Sequence, residues 1–179
     1  YALLTGSGVG TKPLQSLLDG HPEIIMIPAY PLVYLYPHWQ TWATTIKPWN
    51  WDKIIEAFLE KHASVIDSRK IPGHNGLTSL GGGANDYIKI DRALFINSLK
   101  EILNGEEITS KNFILAIHFA YARSTNVDIN KAKIIVYHLH NVQYLNYFIN
   151  DFPDGRVIAM SRDPRSNLDR RIRAARKVN

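Results

Sequence analysis

Apolar positions alternate between short continuous runs and helical stripes, and at both ends of the chain they do so in the order strand, helix, strand. Tyr1-Ala-Leu-Leu-Thr5 is a short apolar run that stops at Gly6-Ser-Gly-Val-Gly10, the pattern of a buried strand entering a glycine-rich turn. Pro13 suits the first turn of a helix, where its missing N–H costs nothing. Leu14, Leu17 and Leu18 share one helical face, which Asp19-Gly20 ends. Residues 24–27 read as a second buried strand closed by Pro28. Lys133-Ile-Ile-Val-Tyr-His138 is the strongest strand pattern, β-branched and apolar. Asn141 stands where it would cap a helix carrying Val142, Leu145, Phe148 and Ile149. Arg156-Val-Ile-Ala-Met160 is the next strand, and Asp163-Pro164 matches an N-cap followed by Pro at the first helical position. Leu168, Ile172 and Ala175 give that last helix a narrow apolar stripe.

The middle is mostly helical by the same criterion. Ile54, Ile55, Phe58 and Leu59 recur at helical spacing, as do Leu94, Phe95, Leu99, Ile102 and Leu103, and then Phe113, Ile114, Ile117 and Tyr121. Asp91 and Ser110 are the expected N-caps of the second and third patterns. Residues 28–51 hold all four Trp, several Tyr and Pro28, Pro31, Pro37 and Pro48, with little regular pattern. Two readings stay open there: a flap that covers the core, or an apolar wall for an acceptor substrate. Residues 68–90, with Gly73, Gly76 and residues 81–83 all glycine, read as a long loop of the kind that is functional or mobile.

These elements predict an α/β fold, a central parallel sheet flanked by helices on both faces, in a single domain over residues 1–179. Ligands of such sheets bind beyond the carboxyl ends of the strands. The loops 6–12 and 161–165 both leave such ends and are expected on one side of the molecule.

Composition narrows the choice. At 179 residues and 45% apolar the chain can bury one core, and without cysteine it has neither disulfides nor thiolate ligands. The net charge of +5 is concentrated in residues 156–179, where eight Lys and Arg meet two Asp. An anionic partner or a solvated helix face accounts for it equally well. No apolar run is long enough to predict a membrane span in this segment, and no signal peptide pattern is present, which says little about compartment in a piece of a longer polypeptide; the expected location is cytoplasmic. The chain opens on Tyr1 and stops within a charged helical pattern, as a piece of a longer polypeptide does.

Thr5-Gly-Ser-Gly-Val-Gly-Thr-Lys-Pro13 suits a phosphate. Glycines let backbone N–H groups approach an anion, and the start of a helix adds favourable potential. Gly6, Ser7, Gly8, Val9 and Gly10 form the cradle, with a hydroxyl from Thr11 and a charge from Lys12. The Walker spacing fails, because Thr11-Lys12-Pro13 stands where Gly-Lys-Ser/Thr is required. Arg162 emerges at the end of the last strand, where its planar fork matches a phosphate monoester, and Arg170 lies two turns on. His138 and His140, at the end of the strongest strand, are candidate general bases beside the alternative of histidines held by structural hydrogen bonds. His21 is as much a turn residue as a catalyst. His118, His138 and His140 lack metal-ligand spacing, and no metal is expected.

The glycine-rich, Thr-containing loop followed by Leu14-Gln-Ser-Leu-Leu-Asp-Gly-His-Pro-Glu-Ile24 resembles the N-terminal signature of PAPS-dependent sulfotransferases, in particular their bacterial-type branch. Phe152-Pro-Asp-Gly-Arg-Val-Ile-Ala-Met-Ser-Arg-Asp-Pro164 resembles that family's 3′-phosphate segment. The resemblance implies a P-loop-like sulfotransferase fold and transfer of a sulfuryl group from 3′-phosphoadenosine-5′-phosphosulfate, the co-substrate, to a hydroxyl or amine. It implies that residues 6–12 hold the 5′-phosphosulfate and that Arg162 holds the 3′-phosphate, with Arg170 nearby. The acceptor would be a small molecule, a glycan or a lipid, with no metal required.

The sequence also departs from the family. Gly8 and Val9 stand where Lys or Arg followed by Ser is usual, Arg170 replaces a common Ser, and Pro28-Ala-Tyr30 lacks an expected Glu. The resemblance is accordingly to a diverged or partial member, in which either Lys12 stands in for the loop cation or the domain binds nucleotide poorly or not at all, and which is expected to be either a C-terminally incomplete piece or a reduced form. The alternatives are a non-catalytic nucleotide-binding relative and, less favoured, a P-loop-like kinase. Nucleic acid is not an expected partner, because the aromatic and glycine signatures of RNA-binding sheets are missing.

Overall fold

In the computed structural model four short strands pair in parallel. They are β1 (Ala2–Thr5), β2 (Ile24–Met26), β3 (Ile134–Leu139) and β4 (Val157–Met160), arranged β2-β3-β1-β4. The structure describes residues 2–5, 11–28, 31–70, 86–139, 141–161, 163–165, 168 and 172, with residues 2–5 and Lys12 described by their backbone. β1 is an inner strand whose neighbours come from the far end of the sequence. Leu3 stands opposite His138 on one side and Ile158 on the other, and Thr5 stands opposite Met160.

Parallel strands cannot be joined by a hairpin, so each connection must cross a face of the sheet. Side-chain alternation then divides the strands between two layers. Ile24, Met26, Ile134, Val136 and Met160 pack with Leu14 and Leu18 of helix α1 (Thr11–Leu18). Ile27, Tyr137 and Leu139 face the opposite layer, which holds the larger core. That layer contains α2 (Leu35–Thr45), α3 (Trp51–Lys61), α4 (Arg92–Leu103), α5 (Ser110–Ser124) and α6 (Leu145–Asp151). The α/β architecture with a parallel sheet therefore holds, and among the described residues α1 packs on one face and the other helices on the opposite one. The buried stripe of α1 runs through Thr11, Gln15 and the partly covered Leu14 and Leu18. Leu17, expected on that stripe, is 80% exposed, because the sheet covers only a narrow arc of the helix.

Helix ends follow local chemistry, with two corrections. Asn50 accepts a hydrogen bond from the Lys53 backbone N–H, and Asp91 accepts from Ala93 and Leu94, as N-caps do. α5 is capped by Thr109 rather than Ser110, since Thr109 has the extended backbone and its hydroxyl accepts from the Asn112 N–H. Asn141 makes no side-chain cap; a single 3₁₀ turn (Val142–Tyr144) precedes α6, in which Phe148 is the buried residue while Val142 and Ile149 are exposed. Asp163 does accept from the Arg165 N–H at 2.9 Å, and Pro164 and Arg165 are helical.

The aromatic stretch 28–51 contains a helix that its pattern hid. Leu35, Tyr36, Trp39 and Trp42 are all buried at helical spacing, and Pro37 falls in the first turn of α2, where no intrahelical N–H is needed. These rings cover the core. Trp39 meets Trp49 at 5.4 Å between centroids and Phe113 at 5.6 Å. Of the glycine-rich loop, residues 71–85 lie outside the described residues. Its two ends are clasped by the Arg69 guanidinium, which donates to both Asp67 carboxylate oxygens and lies 4.0 Å over the Tyr87 ring. Ser68 adds a backbone bond to Ile88.

Asp151, at the end of α6, ties three helices together. One carboxylate oxygen accepts from Tyr36 Oη of α2 at 3.0 Å and from Ser110 Oγ of α5 at 2.7 Å. Burial and the Asp151 charge push the Tyr36 phenol far above its ordinary pKa, so the ring remains a donor. Asp151→Ala strands the Tyr36 hydroxyl, a donor that is 1% exposed as a residue. The expected loss in urea unfolding is about 2 kcal/mol. Tyr36→Phe in the same background should cost much less than it does alone, and equal costs in both backgrounds would show that the two groups do not interact.

Candidate functional site

The segments that the sequence marks as chemical each follow a strand whose carboxyl end lies at one edge of the sheet. Because Thr5 pairs with Met160 and Leu4 with Leu139, the segments that follow β1, β3 and β4 leave from adjacent strands, about 4.8 Å apart. Gly6, Ser7, Gly8, Val9, Gly10, His140, Arg162 and Arg170 lie outside the described residues, as does the side chain of Lys12. What is described is the frame that carries them. α1 begins at Thr11, which is buried, six residues after the end of β1, and a second helical stretch begins at Pro164 just after β4. Both start at the same edge, where the helix dipoles favour negative charge, and at the second start the Arg165 N–H is already taken by Asp163.

Arg165 illustrates why the basic C-terminal segment is not uniform. Its guanidinium folds back onto Asp163 at 2.9 Å and holds that carboxyl below its usual range. This cation is committed to its neighbour, although the pair is exposed and therefore weak.

His138 is 5% exposed and lies on the α1 side of the sheet. Gln15 of α1 approaches it through its amide nitrogen, 2.9 Å from Nδ1. An amide N–H₂ only donates, so Nδ1 accepts and the neutral ring carries its proton on Nε2. The lone pair that a general base needs is thus engaged by Gln15. His21 is at the other end of the sheet, in the turn before β2, where Nδ1 accepts from the Glu23 N–H at 3.2 Å. His118 is inside α5 and donates through Nδ1 to the Ile114 carbonyl at 2.7 Å, with burial pushing its pKa down to about 4. Among the described residues no group of three or more His, Asp or Glu is placed to hold a metal ion, and no helix is long and apolar enough to cross a membrane.

Two features of the structure were not read from the sequence. One is Gln15, whose polarity within a buried helical stripe was a visible signal. The other is a cavity of about 460 Å³ beside β2, lined by Leu18, Asp19, Met26, Tyr121 and Lys131 among others. It is lined by neither Gln15 nor His138 and belongs to the outer flank of the sheet.

Comparison of the chain with protein-family models, curated proteins and solved structures finds no match. The geometry of this edge therefore stands on its own. It makes a direct prediction: ¹⁵N-resolved NMR should show His138 as the Nε2–H tautomer. Gln15→Leu should shift the His138 Nδ1 resonance and lower stability by about 1–2 kcal/mol. An Nδ1–H tautomer in the unmodified protein would reverse the donor assignment.

Proposed function

We propose that this domain binds 3′-phosphoadenosine-5′-phosphosulfate and transfers its sulfuryl group to a hydroxyl or amine acceptor. The observation that carries the reading is the register of β1 against β4. Two segments separated by about 150 residues, each suited to a phosphate for its own reason, leave neighbouring strands at the same edge. A nucleotide with phosphates at both the 5′ and 3′ positions asks for two anion sites a few ångströms apart, and a glycine loop beside an Arg-bearing strand end supplies that pairing.

In the reaction the acceptor oxygen or nitrogen forms a bond to sulfur as the bridging S–O bond to the 5′-phosphate breaks. The electron pair goes to the leaving phosphate, and the acceptor's proton goes to a base. Residues 6–12 take the phosphosulfate, and Lys12 meets the charge that builds on the leaving group in place of the absent cation at Gly8. Arg162 takes the 3′-phosphate, and Arg170 adds positive potential. Since Gln15 occupies the His138 lone pair, His140 is assigned the base and His138 a positioning role between α1 and β3.

Calorimetry with 3′-phosphoadenosine-5′-phosphate and with ATP tests the binding half, and transfer from labelled co-substrate to a panel of alcohols, phenols and amines tests the chemistry. The bisphosphate should bind in preference to ATP. Arg162→Ala should weaken the bisphosphate about 10- to 100-fold, the loss of one charge-assisted contact, and leave ATP unaffected. Lys12→Ala should reduce turnover far more than affinity. Preference for ATP would overturn the assignment in favour of a kinase-like protein. Tight bisphosphate binding without transfer to any acceptor would leave a binding protein in place of the enzyme.

A further inference from the structure

Away from the sheet's ligand edge, two histidines meet in a chain of hydrogen bonds whose direction is fixed by a backbone carbonyl. His62, at the C-terminal end of α3, is 3% exposed, and its Nδ1 lies 2.7 Å from the Pro31 carbonyl oxygen. A carbonyl only accepts, so Nδ1 of His62 carries the proton and Nε2 bears the lone pair. That Nε2 is 2.9 Å from Nδ1 of His38, in α2. His38 must therefore donate from Nδ1, which leaves its own lone pair on the half-buried Nε2. The chain runs His38 to His62 to Pro31 and joins α2, α3 and the segment that follows β2.

The rings are held by aromatic contacts as well. His62 stacks on Phe58 at 5.1 Å and 18°, and His38 stacks on Trp42 at 5.8 Å and 26°. Trp42 also meets His62 edge-on at 6.1 Å. The titratable and charged groups that face the pair are Tyr34, whose ring centroid is 6.5 Å from that of His38 in the turn before α2, and Lys61 on α3. The Lys61 charge opposes protonation of His38, and no carboxylate acts on either ring among the described residues. A first proton on His38 Nε2 leaves the chain intact. A proton on His62 places two N–H groups face to face in a buried, aromatic setting with no anion to receive either.

We propose that His38 and His62 form an acid-released latch, which holds α2 and residues 31–34 against the end of α3 at neutral pH and lets them separate as the pH falls.

The linkage has a definite sign. Burial pushes His62 down to about 4 from an ordinary 6.5, and burial with Lys61 lowers His38. The latch is therefore at full strength above pH 6.5 and loses strength as pH falls from there towards 4. From pH 7 to pH 5 the His62 proton alone raises the separated population about 20-fold, and His38 adds to that.

The experiment has two parts. Imidazole NMR on the unmodified protein should find both rings as Nδ1–H tautomers at pH 7.5, with His62 titrating far below 6. Hydrogen exchange, corrected for intrinsic rates, should show the amides of Leu35, His38 and His62 losing about 20-fold or more in protection from pH 7 to 5. These amides bond to Leu32, Tyr34 and Phe58 respectively. Amides of β3 and of the α5 interior should lose much less, since their opening does not expose the pair. His62→Gln, which keeps a donor and an acceptor on one neutral group, should flatten the dependence at the three amides. A His62 Nε2–H tautomer, a His62 pKa near 6.5, or equal loss of protection across β3, α5 and the three amides would each overturn the latch. The NMR reading does so without relying on any variant.

Discussion

The pairing of β1 between β3 and β4 is the constraint on which the rest of the fold depends. A four-residue strand at the start of the chain is completed by strands that arrive more than 130 residues later. The order β2-β3-β1-β4 sends α1 from β1 past β3 to β2, and sends α6 from β3 past β1 to β4. The two connections run in opposite directions across the sheet. With the right-handed crossover that parallel strands strongly favour, they must lie on opposite faces. Leu14 and Leu18 against Met26 and Val136, and Phe148 against Tyr137, are the packing consequence of that topology.

The two faces are supported unequally. The face of β3 that carries Tyr137 and Leu139 meets a deep layer of helices, in which Phe58, Phe95, Leu99, Phe113 and Ile117 are nearly inaccessible. Polar groups in that layer are few and joined. Asp151 collects two hydroxyls, Tyr137 donates to the Leu32 carbonyl, and His62 donates to Pro31. Each satisfies a group whose isolation in the core would be costly, and each also fixes one helix or segment against another. On the other face the described packing comes from α1, and Gln15 with His138 is a polar bond set into an apolar cluster. That bond joins the helix after the glycine loop to the end of the strongest strand, which couples the proposed anion cradle to the sheet.

Where the sequence was misread, particular residues explain why. The four prolines and dense aromatics of residues 28–51 masked a helix, because Pro is read as a breaker although the first turn tolerates it. Adjacent hydroxyls at Thr109 and Ser110 are indistinguishable as caps until the backbone shows which is extended. Ser110 then proves to serve Asp151, a partner 41 residues away. Leu17 and Ile149 carry apolar side chains on faces that nothing in the described structure covers. Periodicity reports which side of a helix is apolar, and only packing reports how wide the covered arc is.

By itself the sequence determined the local elements whose cause is local. These are the β-branched run of β3, the Asp91 and Asp163 caps, the end of α1 at Gly20 with its positive φ, and the apolar stripes of α3, α4 and α5. The glycine-rich residues 6–12 and Arg-bearing residues 161–165 raised the expectation of an anion on which the proposed function rests. The tertiary structure alone decided that the strands these segments follow are neighbours, that His138 spends a lone pair on Gln15, and that His38 and His62 form a hydrogen-bond chain to the Pro31 carbonyl. The reason is that strand order and side-chain contacts across a hundred residues arise from closing the sheet and filling its two layers, and no short window of sequence contains either condition.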